Sequence, residues 1–426
     1  MDTITESIHK KSQIKPETKK CRFCDNELNT IFADLGMSPL SNAYVSEDHL
    51  HKAEAFYPLV TYVCTSCFLV QLLEYETPDT IFSDYAYFSS YSDSWLEHSK
   101  KYVDMICGRV NLDQSSHVVE LASNDGYLLQ YFQEKKIPVL GIEPAENVAQ
   151  AAIEKGIPTV TKFFGQQIAR ELLDEGKPAD LIVGNNVLAH VPDINDFVGG
   201  MKILLKPDGV ITMEFPHLLR LIIHNQFDTI YHEHFSYLSL YTVEKIFNKH
   251  GLKLFDVEEL STHGGSLRIY ATHADNDSLM IIDNVDILRN TEEEQGLTDI
   301  QVYLNFTEKV KKTKRNLLQE LVRLKGEGKK IVGYGAAAKG NTLLTYCGIR
   351  IDFIDYVVDR NPHKAGKYLP GTRIPIKHPD SIKEDKPDYL FILPWNIKDE
   401  IISQNHFIRE WGGKFIIPIP SVHIID

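Results

Sequence analysis

Nowhere in the 426 residues do 18 apolar residues follow one another, so no segment is long and oily enough to cross a bilayer as a helix. The stretch Met1 to Lys20 lacks the apolar core and cleavage pattern of a signal peptide. Its first ~18 residues read as a disordered lead-in, and a cytoplasmic protein with no membrane partner is expected. A basic excess is also missing: 59 Asp and Glu outnumber 45 Lys and Arg, for a net charge of −14. That balance argues against a nucleic-acid partner. It leaves phosphate-bearing small molecules open, because a helix N-terminus binds phosphate whatever the global charge. Cysteine is scarce, six in all, and a cytoplasmic chain is not expected to pair them as disulfides.

Four of those cysteines are nevertheless organised. Cys21-Arg22-Phe23-Cys24 and Cys64-Thr65-Ser66-Cys67 are two Cys-x-x-Cys pairs separated by 39 residues. Each pair turns two thiolates toward one ion, and two such knuckles complete a tetrahedral shell, the usual way of holding structural zinc. The long spacer requires tertiary structure to close the site, and Tyr57–Val63 reads as a strand running into the second knuckle. A redox dithiol needs one such pair on a thioredoxin-like unit, and here there are two. With no open coordination position, the metal is expected to contribute folding energy rather than catalysis. Cys107 and Cys347 stand alone and read as free buried thiols.

From Val118 the pattern alternates strands with helices, the signature of a parallel doubly wound sheet. His117–Leu121, Val139–Glu143 (ended by Pro144), Asp180–Gly184 and Gly209–Glu214 read as strands. Ligands of such sheets sit beyond the strand C-termini at the switch point. The loop Glu120, Leu121, Ala122, Ser123, Asn124, Asp125, Gly126 is small enough to admit a ligand. Glu143 follows Glu120 by 23 residues and is placed to take both hydroxyls of a ribose. Asn185 and Asn186 follow a later strand. The dinucleotide fingerprint G-x-G-x-x-G is missing from this loop, and geometry alone does not choose between S-adenosylmethionine and a nicotinamide cofactor.

Further along, Thr291 to Lys329 is charged and helical in period, with Val302, Leu304, Phe306, Val310, Leu317, Leu321 and Leu324 as apolar points. Lys330–Thr342 then reads as a strand, a glycine turn and a helix start, followed by strands at Asp352–Val358 and Pro387–Leu393. Taken alone this suggests NAD binding, weakened by Ala338 at the third glycine position. The segment Tyr231-His232-Glu233-His234 carries a base, a carboxylate and a phenol within four residues. In an extended chain its odd and even residues face opposite ways, so spacing does not say which histidine points inward.

Several separated motifs, in order, resemble those of the sugar-nucleotide C-methyltransferases: the paired knuckles, Ser83–Ser92, Glu120–Gly126, Asn185–Val191, Tyr231–Tyr237 and Gly264–Arg268. The family often carries Gly where this chain has Ala122. The resemblance spans essentially the whole chain and implies three units: a zinc module (1–75), a methyltransferase domain binding S-adenosylmethionine (76–290), and a helical linker with a second Rossmann-like domain facing the substrate (291–426). It implies methylation of a carbon beside the ketone of a 4-keto-deoxysugar, usually C3, on a dTDP- or GDP-linked substrate. It favours His234 as base, Tyr231 and Glu233 beside it, and His190 and Tyr85 in the active site, although Tyr87 and Tyr91 stand in the same tyrosine-rich segment. His232 and His263 are expected to be structural, and the Gly264-Gly265 turn to approach a ligand. Lys339, Arg360, Asn361, Lys364 and Lys367 are candidates to meet a diphosphate. A monomer is expected. An O- or N-methyltransferase of the same fold, or an NAD-dependent oxidoreductase, are the rival readings.

Overall fold

The computed structural model describes residues 19–77, 81 and 88–426. The expected lead-in, Tyr85 and Tyr87 lie outside the described residues. Three sheets organise what is described. The first is antiparallel: β1 (Thr30–Ser38), β2 (Tyr57–Val63) and β3 (Val70–Leu72), completed by β9 (Ser236–Tyr237) from far down the chain.

The second sheet contains β4 (Val118–Leu121), β5 (Val139–Ile142), β6 (Thr159–Val160), β7 (Ala179–Asn185) and β8 (Leu205–Pro216) as parallel neighbours. β10 (Leu252–Leu260) and β11 (Ser266–His273) extend it as an antiparallel hairpin, giving the order β10-β11-β8-β7-β4-β5-β6. Val118, Val119 and Leu121 are fully buried, as a parallel strand covered on both faces must be. The winding reverses between β4 and β7, where successive connections diverge and leave a crevice at the strand C-termini.

The third sheet repeats this winding with β12 (Ile331–Tyr334), β13 (Val357–Val358), β14 (Ile376–Lys377), β15 (Tyr389–Ile392), β16 (Lys414–Ile417) and β17 (His423–Ile425), in the order β14-β13-β12-β15-β16-β17. All pairings but the last are parallel. The strand expected over Asp352–Val358 is confined to Val357–Val358. The amides of Phe353 and Ile354 both bond the Arg350 carbonyl at 3.0 Å, winding the residues before it into a turn.

The helical stretch expected from Thr291 to Lys329 is two helices, Asp283–Glu294 and Ile300–Gly326. Gly296 breaks it at φ +79°, and Asp299 restarts it by accepting the Gln301 amide at 3.0 Å. Leu304, expected inside, is 43% exposed, and Tyr303 takes the buried position instead. Tyr303, Phe306, Val310, Leu317, Leu321 and Leu324 form its inner stripe. The Phe306 ring stacks on Phe32 of β1 at 4.5 Å, so this helix joins the first and third sheets in one core. Burying a side chain of that kind is worth about 2 kcal/mol.

Candidate active site

Both cysteine knuckles are built the same way. The Asp25 amide bonds the Cys21 carbonyl and the Phe68 amide bonds the Cys64 carbonyl, each at 2.9 Å, and the residue after each pair is left-handed (Asp25 φ +60°, Phe68 φ +61°). The four Sγ atoms lie within 4.8 Å of one another, with Cys21–Cys67 at 3.6 Å and Cys24–Cys64 at 3.5 Å. A disulfide needs about 2.0 Å, whereas four sulfurs about 2.3 Å from one zinc stand about 3.8 Å apart. The donor set therefore fits zinc. Gln71 Nε2 donates to Cys21 Sγ at 3.1 Å, the kind of outer contact that orients a metal ligand. Of the two other thiols, Cys347 is buried and Cys107 only half-buried.

A cavity of about 560 Å³ opens where β4, β5 and β7 end, a size usual for small-molecule sites. Glu143, just past β5, is buried in its wall. Its Oε2 accepts the Asn124 amide at 2.9 Å and its Oε1 the Ala145 amide at 2.8 Å. These bonds aim the carboxylate while leaving a lone pair on each oxygen for a hydroxyl pair. The preceding loop is wound tightly: Ala122, Asn124 and Gly126 all have positive φ (57°, 49° and 77°). For the two non-glycines this is a strained backbone, which accumulates at ligand sites.

The expected cofactor residues divide into two groups. Ala122, Asn124, Glu143, Pro144, Asn185 and Asn186 line the cavity, and Asn186 Oδ1 is buried there without a hydrogen-bond partner among the described residues. These features fit S-adenosylmethionine. Glu120, Ser123, Asp125 and Gly126 stand behind the wall. Gly126 serves packing, since a Cβ there would meet Ile157 Cδ1 at 2.2 Å. Asp125 pairs with Lys155 at 3.1 Å, and Ser123 lies against Gly141 of β5. Burial pushes the Glu120 carboxyl well above its ordinary range, opposed by the Tyr127 hydroxyl.

On the opposite wall a turn resolves the histidine ambiguity. The His234 amide bonds the Tyr231 carbonyl at 2.9 Å, and Tyr231, Glu233 and His234 all line the cavity. His232 turns away to pack against Tyr57 and Tyr75, with Nε2 3.3 Å from the Pro58 carbonyl. His234 Nδ1 lies 2.8 Å from the Thr229 carbonyl. That contact requires a proton on Nδ1, so the neutral ring keeps Nε2 bare as a base. Burial, then the neighbouring His190, push the His234 pKa well below its ordinary value. His190 meets the His234 ring edge-on at 4.7 Å, and the Tyr231 ring tilts over it at 4.1 Å. His190 is itself pulled down to about 4 by burial. Glu233 Oε1 accepts from Asn42 Nδ2 at 2.6 Å, and burial pushes this carboxyl up to about 7.

Three findings depart from the sequence reading. His263, expected to be structural, lines the cavity at φ +54°, 5.2 Å from the Trp95 ring. Gly264 and Gly265 do not line the cavity, and a Cβ there would meet the side chains of Trp395 and Gln226 at Gly264 and of Arg220 at Gly265. Of the five expected diphosphate contacts only Lys339 and Lys364 line the cavity, while Arg360 and Lys367 are exposed. Asn42, Trp95, Phe163, Phe164 and Asp196 also line it. No motif marked them, because long-range folding alone brings them there. Among the described residues, no helix is long and apolar enough to cross a membrane.

Comparison with known proteins agrees with this geometry. Residues 21–82 match a family model for a zinc binding domain, residues 99–257 one for a methyltransferase domain, and residues 261–420 one for the C-methyltransferase C-terminal domain. The C-methyltransferase NovU of Streptomyces niveus is 36% identical over 408 residues, covering 96% of this chain and 97% of NovU. A ubiquinone biosynthesis O-methyltransferase of Bartonella tribocorum is 25% identical over 116 residues, covering 25% of this chain and 47% of that protein. The magnesium protoporphyrin IX methyltransferase of Synechocystis PCC 6803, solved with bound S-adenosylhomocysteine, superposes with a TM-score of 0.34 at 16% identity. It covers 42% of this chain and 83% of its own, a likeness too low to add to the assignment. The full-length match to NovU carries it, and the O- or N-methyltransferase and oxidoreductase readings give way. The chain belongs to the C-methyltransferase family and is an S-adenosylmethionine-dependent C-methyltransferase with an N-terminal zinc-binding domain.

Proposed function

We propose that this enzyme methylates C3, beside the ketone, of a dTDP- or GDP-linked 4-keto-deoxysugar in the cytoplasm, with His234 as the base. The observation that carries the reading is the Nδ1–H of His234 held on the Thr229 carbonyl inside the cavity that Glu143 also lines. Carbon is a poor nucleophile until it loses a proton, and a hydrogen beside a ketone is acidic enough for a side-chain base once the enolate oxygen is stabilised. Bound S-adenosylmethionine supplies an electrophilic methyl group. His234 Nε2 takes the C3 proton, and Tyr231 and His190 hold the imidazole in place from two sides. Glu233 joins them on the cavity wall, and Tyr85 is carried in this reading as a further active-site tyrosine. Glu143 takes the ribose hydroxyls of the cofactor, with Ala122, Asn124, Pro144, Asn185 and Asn186 around it and Glu120, Ser123, Asp125 and Gly126 supporting the loop. The enzyme works as a monomer of three units, 1–75, 76–290 and 291–426.

The test is exchange. In deuterated water with S-adenosylhomocysteine bound, a dTDP- or GDP-linked 4-keto-deoxysugar should lose its C3 proton. The variant H234N should slow that exchange and kcat together by 100-fold or more, the usual worth of a positioned general base being about 10²–10⁴. No exchange by the wild-type enzyme with either substrate sinks the reading.

A further inference from the structure

We infer that Lys339 is a further catalytic residue, its ammonium meeting the oxygen on which charge gathers as His234 takes the proton. The inference rests on His234 acting as the base. Lys339 belongs to the third sheet's unit, on the first turn of the helix Ala338–Cys347, yet it lines the same cavity as His190, Tyr231, Glu233 and His234.

Its surroundings are those of a charge set in place for a ligand. Nζ donates to Asn396 Oδ1 at 2.6 Å and stands 4.9 Å from the centre of the Trp395 ring. Trp395 Nε1 in turn donates to Asp228 Oδ2 at 2.7 Å, and Asp228 is fully buried. Among the described residues no carboxylate forms a contact ion pair with Lys339, and Asp228, bonded to Trp395, acts on it by charge without touching it. An ammonium has three N–H donors, so one amide oxygen and one ring face leave capacity for a ligand oxygen. Desolvation lowers the Lys339 pKa, and its charge is felt at both His234 and His263, where it favours the neutral ring. At His234 this charge opposes the imidazolium that forms, so what Lys339 adds to proton removal is its attraction for the developing oxyanion.

The step balances without a further reactant. The C3–H bond breaks and its proton goes to His234 Nε2. The freed pair forms the carbon–carbon double bond, and the carbonyl pair withdraws onto oxygen. Lys339 gives up no proton; its charge stays beside that oxygen until the carbonyl is restored as C3 takes the methyl group.

The experiment uses the zinc-loaded full chain and the variants K339M and K339R. Deuterium exchange at C3 of the keto-sugar nucleotide is followed with S-adenosylhomocysteine bound, and kcat and KM are measured separately. K339M is expected to slow exchange and kcat by about 100-fold or more, the worth of one oxyanion donor, with KM within about threefold. K339R should keep part of the rate. Exchange by K339M at close to the wild-type rate overturns the inference, as does a loss confined to KM, which would mark Lys339 as a phosphate contact. Should K339M fail to bind S-adenosylhomocysteine, K339Q decides on the same two readings. Failure of the wild-type enzyme to exchange would instead remove the base reading itself.

Discussion

Glu143 and Glu233 are buried carboxyls on one cavity, both pushed up to about 7 by desolvation, and they lead to different expectations. A carboxyl whose folded pKa is raised adds its full stability below the ordinary value near 4.5 and loses it as pH climbs through the folded one. Glu233→Gln removes that loss. The variant should match the wild type in urea unfolding near pH 4, and exceed it by up to about 3 kcal/mol above pH 7. An equal difference at both pH values would show that burial of the charge is not the cause. Glu143→Gln keeps one acceptor oxygen but no charge. Two hydroxyl bonds to a carboxylate are each worth about 1.5–3 kcal/mol, so S-adenosylhomocysteine should bind on the order of 100-fold more weakly by calorimetry. Unchanged affinity would move the ribose elsewhere. At this scale much was legible in the sequence: a carboxylate after the second strand and a histidine in Tyr231–His234 follow from residue type and spacing. The inward histidine did not, because a four-residue turn, invisible to period-two reasoning, aims His234 in and His232 out.

At the scale of elements, the two knuckles were legible because each is local chemistry, a Cys-x-x-Cys closed by one amide bond onto the first cysteine. Their consequence is testable by metal removal. Without an ion, the four clustered thiols are held by weak bonds among themselves and from Gln71 and by the amide bonds that close each knuckle. Chelation at neutral pH should release one zinc per chain and lower the melting temperature, with re-addition restoring it. No change in melting on zinc loss would reduce the metal to a passenger. The strands of the second sheet were legible because buried parallel strands read as apolar runs. The helix Ile300–Gly326 was legible in period and, from Phe306 to Leu324, in face, but not in its first turn. Leu304 and Tyr303 are both good core residues, and the Phe32 and Phe68 rings, with the Leu297 carbonyl that accepts the Tyr303 hydroxyl at 2.7 Å, select the tyrosine.

Across the whole molecule the cavity is a meeting place of all three sheets' surroundings. Asn42 reaches Glu233 from the loop after β1, and Lys339 arrives from the helix after β12. The contact between these outer parts is direct: Asn341 Nδ2 donates to the Ser41 carbonyl and Tyr44 Oη to the Ala336 carbonyl, both at 2.5 Å. Asn42→Ala should therefore lower kcat by about tenfold, the worth of one hydrogen bond to a charged group, with zinc content and S-adenosylhomocysteine affinity unchanged. A fall in zinc content instead would make the effect one of folding. None of these long-range partners is visible in the sequence, where Asn42 and Glu233 stand 191 residues apart.

Strand β9 carries the same lesson into time. The sheet of the cysteine-bearing segment takes its last strand from residues 236–237, so during synthesis it stays open-edged until more than half the chain has left the ribosome. Until then the backbone groups of Val70 and Gln71 that face Tyr237 and Ser236, and the Leu72 amide that bonds the Phe235 carbonyl, are unpaired, the kind of edge through which nascent chains associate wrongly. Splicing the first 75 residues onto another catalytic core would meet the same difficulty, since the donor core would also have to supply the closing strand.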